Sequence, residues 1–337
     1  MRARGAAVQG GLAVIALGAV YATWQRPEQA APGDIVVIDL SRGDLSRLRY
    51  DDGAKWVELE RRRGREGPAI WIKQGRQDHP LPDGGAPAPN VESKPLPRGE
   101  LRANEAAEKL FERFEPLRAA RALGTLDPSK LKELGLQDAQ KSLQLDARTG
   151  SQSFKISTSV LGAGSPYLQN EQDGRVYLLG NTAVADLESA PVRLVDRQLH
   201  TFKLAEVDGF TVKVNDKQRD FLIKVTPNQP AAVTPKKSPQ KPDDFVRNWH
   251  DRIWHLVVVE VLGKGDVPAS GEPSIGLRVE YFHRGNMMGW LEVGAPPVSS
   301  SPNAHELYAR SEHTAGWAKV HSASEDQIKE ASRVVGE

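Results

Sequence analysis

His250, Asp251 and His255 fall within the stretch "WHDRIWHLVVVEVLG" (249–263), flanked by Trp249 and Trp254. Imidazoles and a carboxylate this close together are the raw material of a metal site or an acid–base pair. The element that carries them decides whether they can act together. The pattern predicts a helix, and at about 100° per residue His250 and His255 point roughly 140° apart on it. One face therefore cannot present both to a single ion. Asp251 and His255, at i and i+4, do share a face, which makes an ordinary carboxylate–imidazole pair. Trp249, Ile253, Leu256 and Val257 provide the apolar stripe such a helix needs. The spacing thus favours a structural or surface role over metal or acid–base chemistry.

Other candidate chemistry is thinner. The chain has no Walker-type loop, no G-x-S-x-G elbow, no H-E-x-x-H pair and no EF-hand loop. "HELYARSEH" (305–313) opens like a zinc motif at His305, but its second histidine comes eight residues later. "GKGD" (263–266) is too short for a phosphate loop, and Gly263 reads as a helix end. Asp243–Asp244 and Glu325–Asp326 sit at expected helix starts, where the helix dipole accounts for them. The lysines of "PKKSPQK" (235–241) could meet an anionic lipid or cell-wall polymer, and three lysines in a loop are commonly just solvated. Trp71 and Trp290 could stack on a glycan, although their alternation with polar neighbours suits core positions better. "RGD" at 42–44 reads as a turn.

Composition narrows the classes further. The 337 residues suffice for two domains. With 45 basic and 44 acidic residues the formal net charge is +1, which gives no electrostatic ground for nucleic acid as a partner. No cysteine is present, so disulfides, thiolate ligands, cysteine nucleophiles and a lipidated cysteine are excluded. No cofactor is indicated.

Arg2 and Arg4 precede an uncharged run from Gly5 to Trp24. Twenty residues of helix span about 30 Å, the thickness of a bilayer's hydrocarbon core. Tyr21 and Trp24 stand where interfacial aromatics belong, and the arginines place the N-terminus in the cytoplasm with the rest outside. We therefore expect residues 1–26 to be a cytoplasmic tip and transmembrane anchor, with residues 5–24 in the bilayer. The alternative is a cleaved signal peptide ending at "VYA" (20–22).

Beyond the anchor the hydrophobic pattern is α+β. Turn signals at 51–53, 148–150, 173–174 and 284–286 join alternating runs into hairpins. Helices are expected from near Leu101, over "LDPSKLKELG" with Asp127 as cap and Pro128 at its first position, from near Asn181, from Asp243 or Asp244 through "HLVVVEVLG", and at the C-terminus behind a Ser324/Gln327 capping box. Pro116 should end or kink the first of these. The order repeats at a period of about 140 residues, the mark of an internal duplication. "LFERFEPLRAARALG" (110–124) lies without gaps over 249–263, and Tyr167 matches Tyr308. Proline-rich segments fall at corresponding points, 78–99 and 226–244. We expect a first unit over 34–205 and a second over 206–335, each a mainly antiparallel sheet with helices on one face. In the first unit Phe111, Glu112 and Pro116 stand in the places of His250, Asp251 and His255. A ligand set shared by both units is therefore absent.

Several stretches between 101 and 205 resemble a bacterial family known as domain of unknown function 4340. They are "LFERFEPLRAARALG", "LKELGLQDAQKSLQLDARTG", "SPYLQNEQDGRVYLLGNTAVADL" and "VRLVDRQLHTF". The second copy is looser, with "WAKV" where the first has "VYLL". The resemblance implies a membrane-anchored envelope protein, in the company of ABC-type export or gliding-type systems, and brings no catalytic residues with it. The expectation is a non-enzymatic accessory or scaffold subunit in the inner membrane with its bulk in the periplasm, meeting protein partners there. The alternatives are an envelope hydrolase or metal-dependent enzyme using His250, Asp251, His255 and His305, and a cell-wall or glycan-binding module.

Overall fold

The computed structural model describes residues 35–64, 67–76, 98–157, 165–180, 182–297, 306–321 and 325–336. Antiparallel strands dominate and helices are few. A nine-stranded sheet contains β2 (Leu45–Asp51), β3 (Lys55–Gly64), β4 (Gly67–Arg76), β5 (Leu101–Arg102), β7 (Arg121–Thr125), β8 (Lys141–Ala147), β9 (Gly150–Ile156), β10 (Tyr167–Asn170) and β11 (Arg175–Leu178). An eight-stranded sheet contains β12 (Gly209–Val214), β13 (Lys217–Lys224), β14 (Ala232–Pro235), β15 (Val258–Val261), β16 (Ser274–His283), β17 (Asn286–Ala295), β18 (Leu307–Ser311) and β19 (Ala318–Val320). A separate pair joins β1 (Ile35–Ile38) to β6 (Leu117–Ala119).

The two large sheets follow the same path. One runs β4-β3-β2-β8-β9-β10-β11-β7 behind the short edge strand β5, the other β14-β13-β12-β16-β17-β18-β19-β15. In each, a hairpin is followed by a third strand, a helix and the far edge strand. The chain then returns to the middle of the sheet for a second hairpin. Turn chemistry fixes the hairpins: Arg284 and Gly285 both take positive φ between β16 and β17, the geometry that matches a two-residue loop to strand twist.

One helix of each unit closes the core. Helix α1 (Glu105–Phe114) is capped by Asn104, whose side chain accepts from the Ala106 N–H. Helix α5 (Asp244–Trp254) is capped by Asp243 in the same way, through Val246. The short α2 (Pro128–Glu133) has Asp127 as its cap and Pro128 in its first turn, as expected. Helices α3 (Thr182–Glu188), α4 (Ala190–Arg193) and α6 (Glu325–Gly336) are the other α-helices among the described residues. The residues of α1 that point inward are Ala107, Leu110, Phe111 and Phe114; those of α5 are Val246, Trp249, His250 and Ile253. Each position lies 139 residues from its counterpart. The first core packs Leu48, Leu59, Ile72, Leu143 and Phe154 beneath α1, and the second packs Phe210, Phe221, Val279, Tyr281 and Leu291 beneath α5.

Three expectations need correction. The first helix begins at Glu105, because Leu101–Arg102 pairs with β4. It stops at Phe114, just before Pro116, as that proline leads one to expect, and the following "LRAARALG" forms β6 and β7. Likewise the histidine-bearing helix ends at Trp254, and "VVEV" is the edge strand β15. A run of β-branched valines loses side-chain freedom in a helix and fits a pleated strand. Leu256 and Val257 are therefore outside the helix, and Gly263 follows a strand rather than capping a helix. Within 226–244 the chain is extended at β14 and pairs with β13. Most of the segment 78–99, the start near Asn181 and the Ser324 capping box lie outside the described residues. So do residues 5–24, and among the described residues no helix is long and apolar enough to cross a membrane.

Candidate functional site

The end of α5 divides the three opening residues between two environments. His250 is 2% exposed, while Asp251 and His255 face solvent. His255 ends the helix, its N–H donating to the Asp251 carbonyl and its Nδ1 lying 3.4 Å from Asp251 Oδ1. This is the surface pair that the i, i+4 spacing predicts. His250 points the other way and stacks on Phe210 at 4.3 Å. Burial, with lesser repulsion from His255 and His200, pushes its imidazole down to about 3, so it is neutral at ordinary pH. His305 lies outside the described residues.

His250 does not stand alone. The segment joining the two units brings His200 against Trp254, stacked at 4.9 Å, and edge-on to Tyr281 at 5.1 Å. Tyr281 is fully buried and 5.8 Å from His250. Burial, with Glu312 adding to it, drives the Tyr281 phenol far above its ordinary value. Glu312 reaches His200 Nδ1 at 3.0 Å and also accepts the Trp290 N–H at 2.7 Å. His200 Nε2, His250 Nε2 and Tyr281 Oη are buried without a hydrogen-bond partner on the protein. A carboxylate that orients an imidazole is half of a catalytic dyad. Here the imidazole is boxed in by Trp254, Tyr281 and Phe202 rather than opening onto solvent. The arrangement holds the joining segment to the second unit.

A parallel contact lies alongside. His313 Nε2 sits 2.8 Å from Asp196 Oδ2, and the Ser311 hydroxyl donates to the Leu199 carbonyl. Burial acts to raise the Asp196 carboxyl, but His313 and the Gln198 N–H hold it below the usual carboxylate range. The sequence gives no sign of these partners. His200 and Glu312 are 112 residues apart, and Asp196 and His313 are 117 apart. Only the folded register brings them together.

Among the described residues, one cleft lies away from this cluster and another borders it at Glu312. One, of about 620 Å³, opens beside α1 among Arg42, Arg61, Arg63, Glu108, Glu112 and Arg148. Most of its charges are already paired: Arg42 with Glu112, Arg148 with Asp44, and Arg61 with the buried Glu115. Glu115 accepts both guanidinium arms of Arg61 and the N–H groups of Leu45 and Gly43. Burial acts to raise its carboxyl, and these donors together bring it below the usual value. The second cleft, of about 580 Å³, is lined by Glu272, Trp290, Arg310, Glu312 and Trp317. Trp317 Nε1 donates to Glu272 at 2.9 Å, and Arg310 lies over the Trp317 ring at 4.4 Å.

The tryptophans singled out for glycan stacking are covered in the same manner. Arg62 lies over Trp71 at 5.9 Å and Arg278 over Trp290 at 4.8 Å. Both rings are half-buried on the charged faces of their sheets and not in the cores that alternation suggested. Ion pairs run between them: Glu60 and Glu100 hold Arg62, and Glu280 and Glu292 hold Arg278. Among the described residues no three His, Asp or Glu side chains gather as a metal site would need. "GKGD" lies in the contact between units. The Asp266 carboxylate accepts from the N–H groups of Arg98, Gly99 and Gly263.

Fold and site together define a protein of antiparallel sheets whose conspicuous polar side chains are largely spent on one another. The chain belongs to the family described as a domain of unknown function (DUF4340), whose model matches residues 99–271, just over half of its length. The match begins at the Gly99 contact, takes in α1 and the second half of the first sheet, and runs through α5 and β15. No curated protein and no solved structure matches the chain.

Proposed function

We propose that this protein is a non-enzymatic accessory or scaffold subunit of an envelope transport complex of the ABC type. In this reading residues 5–24 anchor it in the bacterial inner membrane and two duplicated α+β units stand in the periplasm. The observation that carries the non-enzymatic part is the internal pairing of the groups that could react. His200 is committed to Glu312, Arg61 to Glu115, and the tryptophan faces to arginines. The constant 139-residue offset between the buried positions of α1 and α5, with the shared strand order, supports duplication of one unit. Large sheet surfaces without a reactive centre suit binding of other proteins. The transport setting and the anchor come from the family resemblance and the N-terminal sequence.

The test is cross-linking in native membranes, purification of the full chain and mass spectrometry of what accompanies it. Recovery of a permease and an ATPase, lost when residues 5–24 are replaced by a cleavable leader, supports the reading. Recovery of the chain alone from saturating cross-linking rejects it.

A further inference from the structure

The cleft beside α1 keeps two opposite charges open, one supplied by the sheet and one by the helix. Its volume of about 620 Å³ falls within the roughly 300–1,000 Å³ of small-ligand sites. Leu45, Pro68, Ala69 and Ile70 give it an apolar lining. β3 contributes Arg61 and Arg63, and α1 contributes Glu108 and Glu112. Arg61 is fixed: Glu115 holds its guanidinium, which also lies over the Phe111 ring at 4.7 Å. Arg63 is exposed, its cross-strand neighbour on β4 is Pro68, and among the described residues no carboxylate pairs with it. On the helix, Arg42 holds Glu112, whereas Glu108 has no such partner among the described residues. Glu108 lies one turn before Glu112, and like charges at i and i+4 repel. A cation beside Glu108 would relieve that repulsion. At the matching point, 139 residues later, the second unit has Arg247, already paired with Asp244.

We infer that this cleft binds a small amphipathic zwitterion, with its anionic group on Arg63, its ammonium on Glu108 and its apolar part on Ala69 and Ile70. The charge balance selects this class. Arg42, Arg61, Arg63 and Arg148 line the cleft together with Glu108 and Glu112, while Asp44 and Glu115 pair with Arg148 and Arg61. Four guanidiniums thus stand against four carboxylates. A ligand of one sign alone satisfies one open charge, leaves the other without a partner and is repelled by it. A zwitterion meets both. Arg42 and Arg148, with side chains 82% and 71% exposed, are held only in surface pairs. Such pairs are worth about 0–1 kcal/mol, so both arginines can turn to the anionic end of a ligand at little cost. An apolar dipeptide and a phosphatidylethanolamine headgroup share the required chemistry. The inference does not depend on the proposed transport role.

Calorimetric titration of the full chain in an uncharged detergent tests this with two soluble probes, leucyl-leucine and dibutyryl phosphatidylethanolamine. Their single-charge analogues are N-acetyl-leucyl-leucine, leucyl-leucine amide and dibutyryl phosphatidylglycerol. At least one zwitterion should bind saturably and shift the Ile70 methyl resonances. It should bind about tenfold more tightly than its single-charge analogues, the weight of one charge-assisted hydrogen bond. The probe that binds identifies the source, peptide or lipid headgroup. Arg63→Gln and Glu108→Gln, both at exposed positions, should each weaken binding about tenfold. Glu108→Gln should also erase the preference for the zwitterion over the anion-only analogue. Absence of saturable binding by either zwitterion overturns the inference. So do equal affinities for zwitterions and single-charge analogues, or affinities unchanged in both variants.

Discussion

Helices α1 and α5 do the same architectural work with different chemistry. Both begin at an Asn or Asp cap, both bury four residues at matching positions, and both reach across to a neighbouring helix through an arginine. Arg113 pairs with Asp186 of α3 and Arg252 with Glu330 of α6. Every inward-facing pair differs in residue, but polarity changes at two matching positions, one on the helix and one just after Phe114. Phe111 of the first is His250 of the second, and Glu115 of the first is Trp254. In the first unit a buried carboxylate is fully hydrogen-bonded. In the second, a buried imidazole leaves Nε2 without a protein partner beside Tyr281 and His200. A buried polar group is neutral or favourable only when satisfied, so the first unit should depend more on its polar group and the second should gain by losing one.

The largest expected effect follows from Glu115. Its removal leaves the half-buried Arg61 without its partner and the N–H groups of Gly43 and Leu45 without an acceptor. Breaking such a pair from one side costs about 3–5 kcal/mol. We expect Glu115→Ala to lower the unfolding free energy from urea titration by that amount, with loss of amide protection concentrated in the first sheet.

His250→Phe, which installs the first unit's residue, should act in the opposite direction. The folded pKa of His250 lies far below its unfolded value near 6.5. Its neutral form is therefore fully accommodated above about pH 6.5, and stability is lost as pH falls from there toward 3. Glu115 also has a depressed folded value, so its contribution is present above about pH 4.3 and is lost as pH falls below it. The two units should soften in different windows, the second first. Hydrogen exchange at pH 7 and pH 5 should show protection falling in β12, β16 and α5 before β2 and β8. In His250→Phe this difference should disappear, with a gain of about 1 kcal/mol or more at neutral pH from removing an unsatisfied buried group. An unchanged pH dependence in the variant would remove His250 as its source.

Much of this comparison was legible in the sequence. The alternating hairpins, the Asp127–Pro128 helix start and the ungapped overlay of 110–124 on 249–263 all rest on local chemistry: turn residues, caps and periodicity. The overlay even showed His250 in the place of a phenylalanine, which is the mark of a core position. What failed was the start of α1 and the end of α5. Leu256 and Val257 continue the apolar stripe of α5 in register, and an i, i+3, i+4 pattern does not register a change from helix to strand while the residues stay apolar. The valine run was the better signal. The His200–Glu312 and Asp196–His313 contacts were invisible because their partners are brought together only by the chain's return from the second sheet.

A smaller effect tests a contact of Gly263 that has no counterpart at Gly124. A Cβ on Gly263 would stand 2.4 Å from the backbone of Gly99, and one on Gly316 would stand 2.6 Å from the Gly263 carbonyl. The matching residue of the first unit, Gly124, has open space around it. Gly263→Ala should therefore cost about 1–3 kcal/mol through overpacking, on top of loss of the Asp266 bonds if the strand shifts. A Cβ on Gly124 meets no neighbour, but its φ of +73 strains a side chain there, so Gly124→Ala should cost only about 1 kcal/mol. Thermal unfolding of the two variants side by side separates the effects, and equal losses would mean that the contact between units does not constrain Gly263.

The smallest effect is expected where the two units agree. Arg113 and Arg252 are each nearly half exposed, and each joins its helix to another by an ion pair, Arg113 to a buried Asp186 that Arg193 also holds and Arg252 to the part-exposed Glu330. Pairs whose arginine stays largely in solvent contribute about 0–1 kcal/mol, because the Coulomb gain is offset by ordering a long side chain, and Arg193 still holds Asp186 when Arg113 is lost. Arg113→Ala and Arg252→Ala should each lower stability by less than about 1 kcal/mol, and by similar amounts. Similarity is the informative outcome. The two arginines share position, exposure and partner charge, while the cores beneath them differ at Phe111 and His250. Equal small losses in chemical denaturation would show that the surface pairing is indifferent to the core below. A markedly larger loss at Arg252 would instead tie that ion pair to the seating of α5 over the buried imidazole. His250→Phe combined with Arg252→Ala would then be non-additive.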